Sequence, residues 1–299
     1  MKRLSAVVLA GFGLAVSSAG AAQDGFENVE IRVQEIAPGV AVLFGRGGNI
    51  GVSHGEDGTL VIDDQFAPLT EKIEAAVAEL GATPVQSVVN THWHLDHTGG
   101  NENFGKRGAK IFAHENVRKR LVVGAPESRW NIQPARKEAL PVVTYDHGVT
   151  FHLNGDTIDV RFTGGGHTDG DSIVFWREKN VLHMGDLYFN ITSYPFVDIN
   201  SGGNAYDLIE ALDLAIGLAD DETMIIPGHG TMANKVDLVE YRDMVAESVS
   251  RVAELHDSGM SLEDAQAVRP LDDFGRGGGF IDADGFVGAI WASLKAENR

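Results

Sequence analysis

The apolar positions of this chain fall into short runs, and most of the runs are too short to be helices. Val40 to Phe44, Ile50 to Ser53 and Leu60 to Ile62 are β-rich and separated by glycine-bearing turns, which predicts an antiparallel meander. A helix opens at Pro68 with Ile73, Ala76, Val77 and Leu80 on one face, and Gly81 closes it. Further strands are expected at Val85 to Val89 and Lys110 to Ala113, then a helix from Glu115 to Val123. Residues 124–142 have mixed polarity and three prolines, and read as a long loop that includes Trp130; loops of that length are often functional.

The second half repeats the pattern. Val149 to Leu153, Thr157 to Phe162, Ser172 to Trp176 and Val181 to His183 read as strands, Tyr206 to Leu218 as a helix and Met224 to Ile226 as a strand. Leu238, Tyr241, Val245, Val249 and Val252 mark one stripe of a helix from Val236 to Leu255. Gly275 to Gly279 lacks the GK[ST] of a phosphate loop and reads as a plain turn before a last helix, Phe286 to Leu294. Strands followed by helices, twice over, suggest an α/β domain with two β-rich halves and helices on the outer faces.

Composition narrows the chemistry. With 24 basic and 43 acidic residues the formal charge is −19, which argues against nucleic acid and anionic membranes as partners. Lys2 and Arg3, the apolar stretch from Leu4 to Val16 and the sequence Ala19-Gly20-Ala21 fit a cleavable signal peptide over residues 1–21; a retained anchor helix is the alternative. The expectation is a mature domain over 22–299, periplasmic or secreted, with no stable membrane association after cleavage. There is no cysteine, so any metal must be held by histidine and carboxylate.

The chemistry concentrates at Thr91 to Gly100. His92, His94, Asp96 and His97 fall within six residues, just past a predicted buried strand. In extended backbone His92, His94 and Asp96 share a side, and a turn brings His97 to them. Three distant ligand-capable residues, His167, Asp186 and His229, also follow predicted strands beside glycines, which let backbone approach closely. Five histidines and two aspartates suit two metal ions.

His92-x-His94-x-Asp96-His97 followed by His167, Asp186 and His229 resembles the metallo-β-lactamase fold superfamily, over essentially the whole mature chain. The resemblance implies a four-layer αβ/βα sandwich with the site at one edge between the sheets. It implies His92, His94 and His167 on one metal, Asp96, His97 and His229 on the other, and Asp186 bridging. The implied cofactors are two Zn²⁺, with Fe or Mn as alternatives. Asp96 is then a candidate to accept a proton from the attacking water. Tyr188 is a candidate oxyanion donor or, on the plainer reading, a buried strand-end tyrosine. Asp63 or Asp64 either orients a ligand imidazole or forms an exposed turn pair, and His114 and His183 are at most supporting residues.

The resemblance implies a dinuclear zinc hydrolase that uses a metal-bound hydroxide on a small-molecule substrate. Aspartate at the bridging position differs from the cysteine of the efficient Cys-containing β-lactamases, and Phe189 stands where those enzymes carry a substrate-gripping lysine. The expected reaction is therefore opening of a cyclic amide or ester, with β-lactam and lactone level. The alternatives are a thioesterase resembling glyoxalase II, a phosphodiesterase and an iron-dependent redox protein.

Overall fold

The computed structural model describes residues 25–297. The expected leader over 1–21 lies outside them. A meander of β1 (Arg32–Ala37), β2 (Val40–Phe44), β3 (Ile50–Gly55) and β4 (Gly58–Ile62) is followed by α1 (Thr70–Glu79) and β5 (Val85–Asn90). Two short helices, α2 (Leu95–Thr98) and α3 (Asn101–Lys106), lead to β6 (Lys110–His114), α4 (Glu115–Val123) and β7 (Val143–Tyr145). These seven strands form one sheet in sequence order, antiparallel through β4 and parallel from β4 to β7.

The second half contributes β8 (Gly148–Leu153), β9 (Asp156–Phe162), β10 (Ser172–Trp176), β11 (Val181–His183), the short β12 (Phe189–Asn190), α5 (Ala205–Leu218), β13 (Met224–Ile226) and β14 (His229–Gly230). Then come α6 (Lys235–Asp257), α7 (Leu262–Ala267) and α8 (Ala283–Glu297). Its sheet has the order β13-β11-β10-β9-β8, and β12 pairs with β14 beside it.

The period-two alternation of the strands builds the layers. Val40 and Val42 of β2 and Leu60 and Ile62 of β4 face Val160, Val174, Trp176 and Ile226 of the other sheet. The intervening Ala41, Leu43 and Val61 face Ile73 and Val77 of α1 and Phe104 of α3. On the far side, Ile173 and Leu182 meet a third core built with Leu212 of α5, Val245 of α6 and Ile290 of α8. The order helix, sheet, sheet, helix is the four-layer αβ/βα sandwich expected. None of the helices among the described residues is long and apolar enough to cross a membrane.

The sequence expectation did not include the short elements α2, α3, β7, β12 and β14, and three further differences have a physical reason. β1 was not evident because its residues are half-buried or exposed, as an edge strand's are. α7 is short, with Ala265 its buried residue. The 124–142 loop has structure of its own: Ala125 and Ile132 exchange backbone hydrogen bonds of 2.7 and 3.2 Å, closing a small loop with Trp130 inside it.

Candidate metal centre

The ends of the two sheets deliver seven side chains to one place. β5 runs out at Asn90, the chain bends through His92, and His94 is extended before α2 turns Asp96 and His97 inward, so these side chains converge through bends rather than through one straight extended run. Asp63, at the end of β4, fixes this stretch. Its Oδ1 accepts the Thr91 amide at 2.8 Å, and its Oδ2 accepts the Thr91 hydroxyl at 2.8 Å and lies 2.7 Å from Nδ1 of His97. Asp63 holds φ at +64°, a conformation that non-glycine residues rarely adopt and that clusters at functional sites.

His167 follows β9 in a loop pinned by the buried Asp171, which accepts the Thr168 amide at 2.8 Å. Asp186 sits on a 3-10 turn, Gly185–Leu187, just past β11. Gly185 has φ +51° against Thr91, where a side chain would be strained as well as crowded. Buried Asn49 ties down the His229 loop: its amide donates to Gly228 O at 2.7 Å and its Nδ2 to Pro227 O at 2.9 Å. A Cβ on Gly228 would lie 2.2 Å from Asp186 Oδ1, so only glycine lets this loop close over the carboxylate.

The seven form two groups. His92, His94, His167 and Asp186 present ligand atoms within 4.8 Å of one another, as do Asp96, His97 and His229. Asp186 faces both: Oδ2 lies 3.8 Å from His92 Nε2 and 3.6 Å from His167 Nε2, while Oδ1 lies 3.0 Å from His97 Nε2 and 3.3 Å from His229 Nε2. Asp96 Oδ2 is 3.3 Å from His229 Nε2.

The hydrogen-bond pattern around the imidazoles fits cations at the centre. His92 Nδ1 lies 3.1 Å from the Thr91 hydroxyl, whose own proton goes to Asp63. His94 Nε2 lies 3.0 Å from Asp198 Oδ2, and His167 Nδ1 contacts the Phe196 carbonyl. Each ring thus donates its outward N–H to an oxygen and turns its remaining nitrogen inward. The inward nitrogens of His94 and His167 stand only 2.8 Å apart. Burial and the neighbouring His94 push His167 down to about 4, so at neutral pH the ring has no proton to place between them. His92 Nε2 is buried without a hydrogen-bond partner, and His97 Nε2 and Asp186 Oδ1, also buried, have only each other's approach at 3.0 Å without a well-aligned hydrogen bond. Such polar atoms are costly to bury unless a bound cation satisfies them. Borderline divalent cations suit this set of nitrogen and carboxylate donors.

Above the cluster opens a cavity of about 560 Å³, within the range of small-molecule sites. Asp96, Asp186, His94 and His229 line its floor, and Phe66, Trp130, Phe189, Ile191, Phe196 and Phe280 line its walls. Pairing of β12 with β14 sets Phe189 beside His229, ring centroids 5.2 Å apart.

Tyr188 does not reach this cavity. Its side chain is buried in the outer core, edge-on to Tyr241 at 4.8 Å, and burial pushes its hydroxyl pKa up. The oxyanion-donor reading is therefore corrected to the plainer one, because the backbone turns at Gly185–Leu187 and sends the next side chain outward. Asp64 is also buried, accepting the Gly100 amide at 2.8 Å, so the two aspartates are no exposed turn pair. His183 bonds Asn49 O and the Gly185 amide, and His114 caps α4 while stacking on Phe162, so both are supports. Asp198, Phe196 and Asn49 were not singled out in the sequence: each lies in an irregular segment with no motif around it.

Residues 43–229 match the family model of the metallo-beta-lactamase superfamily. A Caenorhabditis elegans protein named beta-lactamase-like protein 2 homolog is 24% identical over 212 residues, covering 68% of this chain and 64% of its own length. The alpha subunit of 2,4-dinitroanisole O-demethylase from Nocardioides sp. (strain JS1661) is 24% identical over 148 residues, covering 48% of this chain and 42% of its own. The chain thus spans less than two thirds of either relative. A metallo-beta-lactamase from Pontibacter korlensis superposes with a TM-score of 0.60 at 21% identity, covering 73% of this chain and 99% of that one; the likeness is one of fold.

Proposed function

This chain belongs to the metallo-β-lactamase superfamily, whose members are generally hydrolases, and on that premise we propose that it opens a neutral cyclic ester or amide, a lactone ahead of a β-lactam. The observation that carries the reading is the contrast between the floor and the walls of one cavity. The floor is the His/Asp cluster, and the walls are apolar. A β-lactam carries a carboxylate that needs a cation. Phe189 occupies the position where the Cys-containing β-lactamases place a lysine. Arg46, the cation lining the cavity, is exposed and donates to Gly25 O at 2.7 Å. The formal charge of −19 further disfavours anionic substrates.

His92, His94 and His167 would hold one ion, Asp96, His97 and His229 the other, with Asp186 shared. Two Zn²⁺ bound there would supply Lewis acidity, lowering the pKa of water from about 15.7 toward about 7 and polarising the scissile carbonyl. Asp96 lines the cavity with its side chain partly accessible, and accepts the proton of the attacking water. Asp63 and Asp198 keep the ligand rings in the required tautomers. The ring walls exclude bulk water around the opening ester. The leader read over residues 1–21 would carry this chemistry to the periplasm.

The test is a substrate panel on zinc-loaded protein: an acyl-homoserine lactone, nitrocefin, a carbapenem, a thioester and bis-p-nitrophenyl phosphate. The lactone should show the highest kcat/KM. Turnover of the phosphodiester alone would refute the proposal, and stoichiometric iron without any hydrolysis would favour the redox alternative.

A further inference from the structure

Two large aromatic side chains break the burial rule at the mouth of the cavity. Trp130 is 49% exposed and Phe280 is 51% exposed, although they sit 150 positions apart in the sequence and stack on each other at 5.9 Å. Exposed aromatics at a pocket rim mark binding surfaces more often than structure.

The pair continues inward as a row of rings. Phe280 meets the edge of Phe196 at 5.3 Å, and Phe196 stacks on the candidate ligand His94 at 5.7 Å. All four rings line the same cavity. At the outer end, the Arg129 guanidinium lies 4.3 Å from the Trp130 centroid and 5.4 Å from that of Phe280, and Arg129 lines the neighbouring cleft instead. The row therefore runs from the metal centre to a cationic cap.

Both exposed rings are carried by anchored segments. Phe280 is carried by a segment tied to the 192–194 stretch: Gly277 N donates to Thr192 O at 2.9 Å, and Ile281 N to the Ser193 hydroxyl at 2.8 Å. The Ala125–Ile132 pairing closes the loop that presents Trp130.

We propose that Trp130, Phe280 and Phe196 form the wall on which the apolar tail of the substrate, a straight acyl chain, lies while its ester is held at the metal centre. The proposal rests on the ester-hydrolase reading and specifies the substrate further. An elongated row of ring faces suits an extended hydrocarbon, and a chain lying on it buries apolar surface with each added methylene.

The experiment has two arms. In the first, acyl lactones with chains of 4, 8 and 12 carbons are compared on wild type, Trp130→Ala, Phe280→Ala and Phe280→Leu. In wild type KM should fall about fourfold per added methylene until the wall is covered. The alanine variants should flatten that slope, and Phe280→Leu should keep most of it. In the second arm, acrylamide quenching of tryptophan fluorescence is measured with decanamide, which has the tail and no cyclic ester. Trp93, Trp176 and Trp291 are buried, so quenching reports Trp130. Decanamide should shield wild type and not Phe280→Ala.

Shielding without lactone turnover would uphold the wall and remove the lactone reading. Lactone turnover with a KM slope equal in all variants, and no shielding, would overturn the wall and leave the reaction standing.

Discussion

The two halves of the metal centre share one carboxylate and differ in almost everything else. In the half made by His92, His94 and His167, two rings are held neutral. Burial, then His97, push His92 well below its usual value, and His167 is brought down to about 4. Asp96, His97 and His229 form a half dominated by negative charge. Burial alone would lower His97, but Asp186, Asp96 and Asp63 together hold it well above its ordinary value. Burial likewise opposes a proton on His229, yet Asp186 and Asp96 raise it to about 9. His92 and His167 keep their inward lone pairs bare at neutral pH, while the second half uses protons to offset its carboxylates. Affinity for a cation is thus reached by two routes within a few ångströms.

The largest test of this contrast removes what the halves share. Asp186→Asn should lower bound metal in both halves and reduce kcat/KM on the order of a thousandfold, about 4 kcal/mol. Metal analysis alongside kinetics checks it. Two tightly retained ions with turnover within about tenfold of wild type would show that Asp186 is not the common ligand.

A smaller effect separates the halves by their supports. Asp198 contacts His94, whereas Asp63 contacts His97 directly and reaches His92 through Thr91. Asp198→Asn should weaken one metal equivalent by about 10- to 100-fold, and Asp63→Asn should weaken both. Competition against a chromogenic chelator resolves the two affinities. Equal, single-site effects from both variants would erase the distinction.

The smallest effect is one of pH. With His229 at about 9, uptake at the second half displaces its proton at pH 7, so this ring by itself should raise affinity there up to about tenfold per unit as pH climbs toward 9, and the raised His97 adds to the slope. His167 at about 4 is already bare, so above about pH 6 this ring adds no such slope to the first half. Calorimetry in buffers of different ionisation heat counts the protons released. The same histidines act oppositely on the metal-free fold. A raised His229 contributes stability that is lost as pH rises from about 6.5 through about 9, and a lowered His167 contributes stability that is lost as pH falls from about 6.5 toward 4.

The sequence exposed what is local and periodic. Buried strands such as β2 and β4 are apolar runs in the chain, and His92 to His97 announce themselves by spacing. The four layers followed from strand-helix order. The supports were less legible. Asp198 and Asn49 are single polar residues in irregular segments, and only the tertiary approach of residues more than 100 positions apart gives them partners. Of the two readings of Tyr188 the oxyanion donor fails for a related reason: nearness to Asp186 in sequence says nothing about direction when a 3-10 turn intervenes. The aromatic wall was half visible, with Trp130 noted in its loop and Phe280 indistinct beside a glycine-rich turn.

The all-nitrogen-and-oxygen ligand set has a consequence for durability. A thiolate at the bridging position would be the first atom attacked by peroxide, climbing from sulfenic to irreversible sulfonic acid whenever the ions left. With Asp186 there, and no cysteine anywhere in the chain, an interval without metal leaves no thiol to be oxidised. The centre can wait for its ions under oxidising conditions and still accept them.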